Sequence, residues 1–102
     1  MKKLYISQPM KGLTDEEILD VRTKAACAVA KHFGEPVLLL DSFFRDAPKN
    51  AAPLWYLGKG LQVLAEADVA YFVKGWEKAR GCKIEHLCAD EYGVVILEEA
   101  RA

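Results

Sequence analysis

The sequence predicts a three-layer α/β fold around a four-stranded parallel sheet. Short apolar runs alternate with longer segments of helical periodicity, giving the order β-α-β-α-β-α-β. The second run, residues 37–40, is continuously apolar, which is typical of a strand covered on both faces. Right-handed crossovers favour the strand order 2-1-3-4, a truncated flavodoxin-like or Rossmann-like sheet.

The first strand and the first helix have clear local signals. Residues 4–6 form a short apolar run that a proline soon ends, so we expect a strand there. Thr14 and Glu17 have the spacing of a capping box, which predicts a helix that begins near Asp15. Gly34 is expected to end this helix in a left-handed conformation.

The later elements follow from the same two periodicities and from glycine and proline positions. Pro53 fits the first turn of the second helix. The expected ranges are 37–40 for the second strand, 54–66 for the second helix, 69–73 for the third strand, 81–92 for the third helix and 94–97 for the fourth strand. The loop between the second strand and the second helix contains several charges and is expected to carry no regular structure.

Composition indicates one soluble domain spanning residues 1–102. Hydrophobic residues make up 52% and charged residues 28%, and the net charge is −1 without any basic run, which argues against nucleic acid and anionic membranes as partners. No signal peptide and no apolar stretch of about 20 residues is present, so we expect a cytoplasmic protein. The three cysteines are an odd number and are expected to be reduced.

The stretch from residue 66 to residue 86 is the strongest candidate for a site. A strand leads through a loop with glycine, tryptophan and arginine into a helix that carries Glu85 near its start. Ligands bind at the carboxyl ends of strands in open α/β sheets, and an ionised carboxylate there can act as a nucleophile at a sugar C1′. The alternative is a surface glutamate that stabilises the helix dipole.

Other candidates lie in the loops that meet at the predicted switch point, where the strand order reverses. Their polar, aromatic or basic groups suit a base, a sugar or a phosphate. They are Ser7, Gln8 and Met10 after the first strand, Asp41 and Ser42 after the second, and Trp76, Arg80 and Gly81 in the loop that leads into the third helix. The alternatives are plain turns, a loop cap, a solvated charged loop and, for the tryptophan, an anchor in a subunit contact.

A metal site is not expected. Cys82, Glu85 and His86 share a helix face, but the second cluster of ligands that structural zinc usually needs is missing from the sequence. No cofactor is implied either. The aromatic pairs at residues 43–44 and 55–56 exceed what a small core can bury, which suggests a homo-oligomer, a dimer or larger, whose neighbouring loop closes the pocket.

Four segments resemble a group of short bacterial and phage proteins of unassigned function. They are residues 5–10 (YISQPM), 41–44 (DSFF), 53–58 (PLWYLG) and 79–82 (ARGC). The group is similar in turn to the nucleoside 2-deoxyribosyltransferases and the deoxynucleoside 5′-monophosphate N-glycosidases. That looser resemblance covers the first strand, the entry to the third strand at Asp68, and residues 81–93 around Glu85. It implies a nucleoside 2-deoxyribosyltransferase-like fold and a small nucleoside or nucleotide as the ligand.

The resemblance also implies a mechanism. In those enzymes a glutamate at the position of Glu85 attacks C1′, displaces the base and forms a glycosyl-enzyme, which water or a second base then resolves. This chain departs from the pattern at Gly60, where the enzymes have an aspartate, and at Ala79, where a polar residue is common. An acid would then come from Asp41, Asp46, His86 or a neighbouring subunit, while Asp68 is expected to serve the strand entry.

Three hypotheses follow. The first is an enzyme that hydrolyses or transfers an N-glycosidic bond through Glu85, with Arg80 and the helix start holding a phosphate. The second is a binding module of the same fold that senses or sequesters a nucleotide-like ligand without turnover, which the missing aspartate favours. The third is an interaction subunit without a small ligand, in which the loop at residues 76–81 is buried in a subunit contact.

Overall fold

A computed structural model describes residues 1–100 and has four strands and three α-helices in this range. The strands all pair in parallel, in the order β2-β1-β3-β4, as predicted. The elements are β1 (Lys2–Ser7), α1 (Asp15–Phe33), β2 (Val37–Leu39), α2 (Pro53–Leu64), β3 (Val69–Phe72), α3 (Arg80–Glu91) and β4 (Val95–Glu98), with a short 3₁₀ turn at Trp76–Lys78.

The start of α1 confirms the predicted capping box. The backbone N–H of Glu17 donates to Thr14 Oγ1 at 3.1 Å, and the backbone N–H of Thr14 donates to Glu17 Oε1 at 2.9 Å. The helix ends at Gly34 with a φ of 69°, a left-handed conformation that glycine adopts without steric cost. α1 contacts β1 and β2 and therefore covers one face of the sheet.

Side chains of β1 alternate between the two faces of the sheet, as they must in a strand. Leu4 and Ile6 are buried in the cluster that α1 covers. Tyr5 is buried in the other cluster, together with residues of α2, α3, β3 and β4. Ser7 has the same parity as Tyr5, so the two hydroxyl-bearing side chains of β1 point toward the side of α2 and α3.

Asp68 holds the start of β3 against β1, as expected. Its Oδ2 accepts a hydrogen bond of 2.8 Å from the backbone N–H of Lys3, at the opposite end of the strands from the predicted switch point. β1 and β3 then run side by side from the Leu4 and Val69 pair to the Ser7 and Phe72 pair. The loops after both strands consequently emerge at one edge of the sheet.

The expectation that β2 is covered on both faces is wrong. Leu38 is 47% exposed and Leu39 is 37% exposed. Within residues 1–100, β2 is an edge strand whose partner is β1, and α3 contacts β3 and β4 on the far side of the sheet. In the same described range, no helix is long and apolar enough to cross a membrane.

Candidate active site

Glu85 lies inside the fold, where two hydroxyl groups hold its carboxylate. Ser7 Oγ donates to Glu85 Oε1 at 2.7 Å, and Tyr5 Oη donates to Glu85 Oε2 at 2.8 Å. The glutamate is only 9% exposed. Each carboxylate oxygen therefore has its own donor, and the side chain is fixed in one orientation by charge-assisted hydrogen bonds.

The orientation of α3 explains why this glutamate points inward. The helical spacing of four residues predicted the inner stripe of this helix: Ile84, Leu87, Cys88 and Tyr92. Cys88 does pack against the core, but the prediction is wrong for Leu87 and Tyr92, which are 58% and 86% exposed. The structure instead buries Cys82, Glu85 and Ala89. Ala89, one turn after Glu85, is small and buried, so the helix packs on the sheet at this point. The Glu85 carboxylate there accepts hydrogen bonds from Tyr5 and Ser7 of β1.

Burial and hydrogen bonding act in opposite directions on Glu85. Burial in a low-dielectric environment raises the pKa of its carboxyl above the ordinary value, and the bonds from Ser7 and Tyr5 offset part of this rise by stabilising the ionised form. The pKa of the Tyr5 hydroxyl is raised as well, first by burial and then by the neighbouring carboxylate. Tyr5 thus keeps its proton and remains a donor to Glu85.

Gly60 of α2 makes room for the pair of Tyr5 and Glu85. A Cβ atom at this position would lie 2.6 Å from Glu85 Oε2 and 2.7 Å from Tyr5 Oη. Real Cβ atoms do not approach that closely, so any other residue at position 60 forces the carboxylate or the phenol to move. Gly60 therefore lies directly beside the Glu85 carboxylate.

A cavity of about 640 Å³ opens beside Glu85 at the switch point. Its volume is in the range of small-molecule sites. Of the residues predicted from sequence, the structure places Ser7, Gln8, Met10, Ser42, Arg80, Gly81 and Glu85 in its lining. The lining also contains residues that sequence reasoning did not single out for binding, among them Tyr5, Lys11, Phe43, Phe44, Tyr56, Leu57 and Cys82.

Two predicted site residues lie elsewhere. Asp41 lines a second cavity on the side of α1, and its Oδ1 accepts from the backbone N–H of Phe43 at 3.2 Å. The ring of Trp76 stacks on that of His86, with centroids 4.0 Å apart and planes 3° from parallel, and it also packs on Phe72. Neither Asp41 nor Trp76 is in the lining of the first cavity.

The acids proposed from sequence also lie outside the lining of the first cavity. Asp46 lines the second cavity with Asp41. His86 Nε2 lies 2.8 Å from Glu98 Oε2. Within residues 1–100, no group of three or more histidine, cysteine, aspartate or glutamate side chains is arranged to hold a metal ion.

Ser42 lines the cavity, but its hydroxyl is used within the protein. It donates to the backbone carbonyl of Ile6 at 3.0 Å and accepts from Arg22 Nη1 at 3.0 Å, while Arg22 Nη2 donates to the carbonyl of Leu40 at 3.1 Å. Arg22 is 4% exposed, and burial lowers its pKa while Asp41 partly restores it. We therefore assign the Ser42 hydroxyl to positioning the end of β1 and not to ligand binding.

Gln8 carries a buried amide that has no protein partner. The residue is 6% exposed, and within residues 1–100 neither its Oε1 nor its Nε2 makes a hydrogen bond. A buried amide without a hydrogen-bond partner costs about 1–3 kcal/mol of stability. A ligand that hydrogen-bonds the amide removes this cost, so an unpaired buried amide beside a cavity indicates a binding role. Gln8 borders the cavity directly after Ser7, which makes it the best candidate for polar recognition there.

The free energy of unfolding of Glu85→Gln, relative to that of the wild type, should increase as pH rises. Because the folded state raises the pKa of Glu85, it binds that proton more tightly than the unfolded chain, and the free energy of unfolding falls as pH rises through this pKa. Glutamine has no such ionisation. Thermal unfolding between about pH 4, near the ordinary pKa of glutamate, and about pH 8 measures the effect. An exposed glutamate of the same helix, Glu91, provides the control as Glu91→Gln, and a pH-independent difference for Glu85→Gln would contradict the prediction.

Comparison with known proteins gives a family but no activity. Residues 2–98 match the family described as Domain of unknown function (DUF4406). No curated protein and no solved structure matches the chain.

Proposed function

Because the chain belongs to the DUF4406 family, whose description assigns no activity, we propose its function from the site: it cleaves or transfers the N-glycosidic bond of a nucleoside or nucleotide. The observation that supports this most is the buried Glu85 carboxylate, held by Tyr5 and Ser7 at the wall of a cavity. A carboxylate that is desolvated yet fixed by two donors is suited to attack carbon.

In the proposed reaction, one Glu85 oxygen attacks C1′ from the side opposite the base. The bond between C1′ and the base nitrogen breaks, and a glycosyl ester of Glu85 forms. Water or a second base then attacks C1′ and releases the carboxylate. Tyr5 and Ser7 act as positioning residues, because their hydroxyls fix both carboxylate oxygens of Glu85.

The remainder of the cavity provides the other contacts that a nucleotide requires. Phe43, Phe44 and Tyr56 offer aromatic surface for a base or a ring. Arg80 and Lys11 are exposed cations in the lining, and Gly81 lies beside Arg80 in the first turn of α3. Basic side chains next to the free N–H groups of a helix start favour a phosphate.

The test is base release from a panel of ribo- and deoxyribonucleosides and their 5′-monophosphates, with and without an acceptor base. Chromatography follows free base and exchanged product. Release that depends on Glu85 supports the proposal, and exchanged product distinguishes transfer from hydrolysis. No release from any compound would overturn it.

A second candidate function is binding without turnover, and Gly60 is the observation that favours it. The similar enzymes carry an aspartate there, whereas here the position leaves only space beside Glu85. Thermal stabilisation by one of the panel compounds, with no base release, would support this alternative. Turnover that is lost with Glu85→Gln would exclude it.

If the proposed chemistry holds, Tyr5→Phe and Ser7→Ala should each move the acidic limb of the pH–rate profile to higher pH. Each change removes a hydrogen bond that now lowers the pKa of Glu85, so ionisation of the nucleophile requires a higher pH. The profile of kcat/KM against pH measures the shift. Tyr71→Phe, on a tyrosine that packs against the opposite face of the sheet, is the matched control and should leave the limb in place.

A further inference from the structure

Glu85 is the one carboxylate in the cavity lining within the described residues, and the groups around it are poor proton donors. Tyr5 is committed to Glu85, and burial raises the pKa of the Cys82 thiol. The other lining groups that carry protons are hydroxyls, an ammonium, a guanidinium and an amide, types that release a proton with difficulty near neutral pH. Ordinary purines and pyrimidines leave as anions unless an acid protonates them.

Asp41, Asp46 and His86, the acids that the sequence suggested, lie outside the lining of this cavity. Asp41 and Asp46 line the cavity on the side of α1, and His86 lies between the Trp76 ring and Glu98. In the part of the chain that the structure describes, the cavity therefore provides a nucleophile without a general acid for the leaving group. That combination suits a leaving group which departs with no proton at all.

We propose that the substrate is a pyridinium N-glycoside that carries a 5′-phosphate, as in nicotinamide mononucleotide. This inference rests on the proposed function and narrows its substrate class. A pyridinium nitrogen is positively charged in the glycoside and becomes neutral when the bond to C1′ breaks, so its departure requires no acid.

The charges of the site are complementary to those of such a molecule. Among residues 1–100, the cavity lining has one anionic side chain, Glu85, and two cationic ones, Lys11 and Arg80. The ligand has a cationic ring next to C1′ and an anionic phosphate at the other end of the sugar. With Glu85 facing C1′ from the side opposite the ring, the cationic ring nitrogen lies one bond beyond C1′, while the phosphate is directed toward the cations and the start of α3.

Gln8 adds a specific contact for this ring. Its amide has one acceptor and two donor hydrogens, and both of its polar atoms lack a partner in the described residues. A ring carboxamide presents the same pair of groups in reverse. Because both Gln8 atoms are closed off from solvent, the two hydrogen bonds form when the side chain turns toward the cavity. An aromatic wall of Phe43, Phe44 and Tyr56 completes a site for a flat cation.

The reaction balances with these groups alone. A Glu85 oxygen forms a bond to C1′, the bond from C1′ to the pyridinium nitrogen breaks, and its electron pair neutralises the ring. Water then attacks C1′ of the glycosyl ester, the Glu85 carboxylate is regenerated, and one proton passes to solvent. The products are the free neutral pyridine and ribose 5-phosphate.

The experiment compares nicotinamide mononucleotide with adenosine, deoxyadenosine and thymidine 5′-monophosphates, at equal concentration and across pH. Base release is followed by chromatography for the wild type, Glu85→Gln and Gln8→Leu. General acids contribute about 10²–10⁴-fold, so release from the pyridinium substrate should exceed that from the neutral bases by a factor of this order. Its rate should rise as Glu85 ionises and then remain level with pH.

Gln8→Leu separates recognition from folding. Leucine removes the unpaired buried amide, so the melting temperature should stay the same or rise, while KM for nicotinamide mononucleotide should increase. Equal or faster release from the neutral nucleotides, still dependent on Glu85, would overturn the pyridinium substrate and leave the proposed function standing, with the acid supplied by another copy of the chain. No release from any of the compounds would overturn both.

Discussion

Glu85→Gln is expected to lower the rate of base release by at least about 10³-fold while changing the dissociation constant of the substrate by less than about tenfold, since loss of a nucleophile removes the covalent route. Glutamine has nearly the same shape and still accepts a hydrogen bond, so the packing around Tyr5 and Ser7 remains. Its neutral amide oxygen is a poor nucleophile, which confines the loss to kcat.

Glu91→Gln is the matched control, because it makes the same chemical change on an exposed position of α3. It should retain full activity. Binding of the substrate to both variants is measured by calorimetry, and turnover by chromatography. A Glu85→Gln protein that keeps more than about a tenth of the wild-type rate would exclude a covalent role for this carboxylate, since the loss expected for a nucleophile is far larger.

Gly60→Ala is expected to reduce kcat by about 10²-fold, because displacing a reacting group by about 1 Å has an effect of this size. The new Cβ atom would lie 2.6 Å from Glu85 Oε2 and 2.7 Å from Tyr5 Oη. Glu85 is buried and held at both oxygens, so it moves only by losing hydrogen bonds. Overpacking of this kind also lowers the free energy of unfolding by about 1–3 kcal/mol.

The control for this substitution lies two residues away on the same helix. A Cβ atom at Gly58 would meet nothing within 4 Å. Gly58→Ala should therefore stabilise α2 by about 0.5–1 kcal/mol through helix propensity and leave kcat unchanged. If both alanine variants behave alike in turnover and in thermal unfolding, the space at position 60 does not determine the position of the carboxylate.

The sequence predicted best the helix ends that depend on residues only a few positions apart. The capping box at Thr14 and the left-handed Gly34 bound α1 where the pattern indicated, because both act within a few residues. The strand order followed from crossover handedness. The coverage of β2 was predicted wrongly, since an apolar run does not reveal whether a helix on the far face extends to the edge of the sheet.

The candidate site was predictable in its position but not in its details. Strand ends and a helix start indicated Glu85, and the alternation along β1 contained the signal for Tyr5, two residues before Ser7 on the same face. The contact between Gly60 and Glu85 depends on how closely α2 approaches the sheet, which no spacing in the sequence gives. For the same reason Trp76 could be placed in the right loop but not against His86.

Arg22 donates a hydrogen bond to Ser42, which in turn donates to the carbonyl of Ile6. These two bonds affect which positions of the chain tolerate substitution. Arg22 belongs to α1, on the face of the sheet opposite the Glu85 carboxylate, yet it supports the segment from which Ser7 and Gln8 project. In a saturation scan scored by activity, Arg22 should be as intolerant as a ligand-contacting residue. Its neighbours on the exposed side of α1 should accept almost any polar substitution, so distance from the cavity would be a poor guide to which positions can vary.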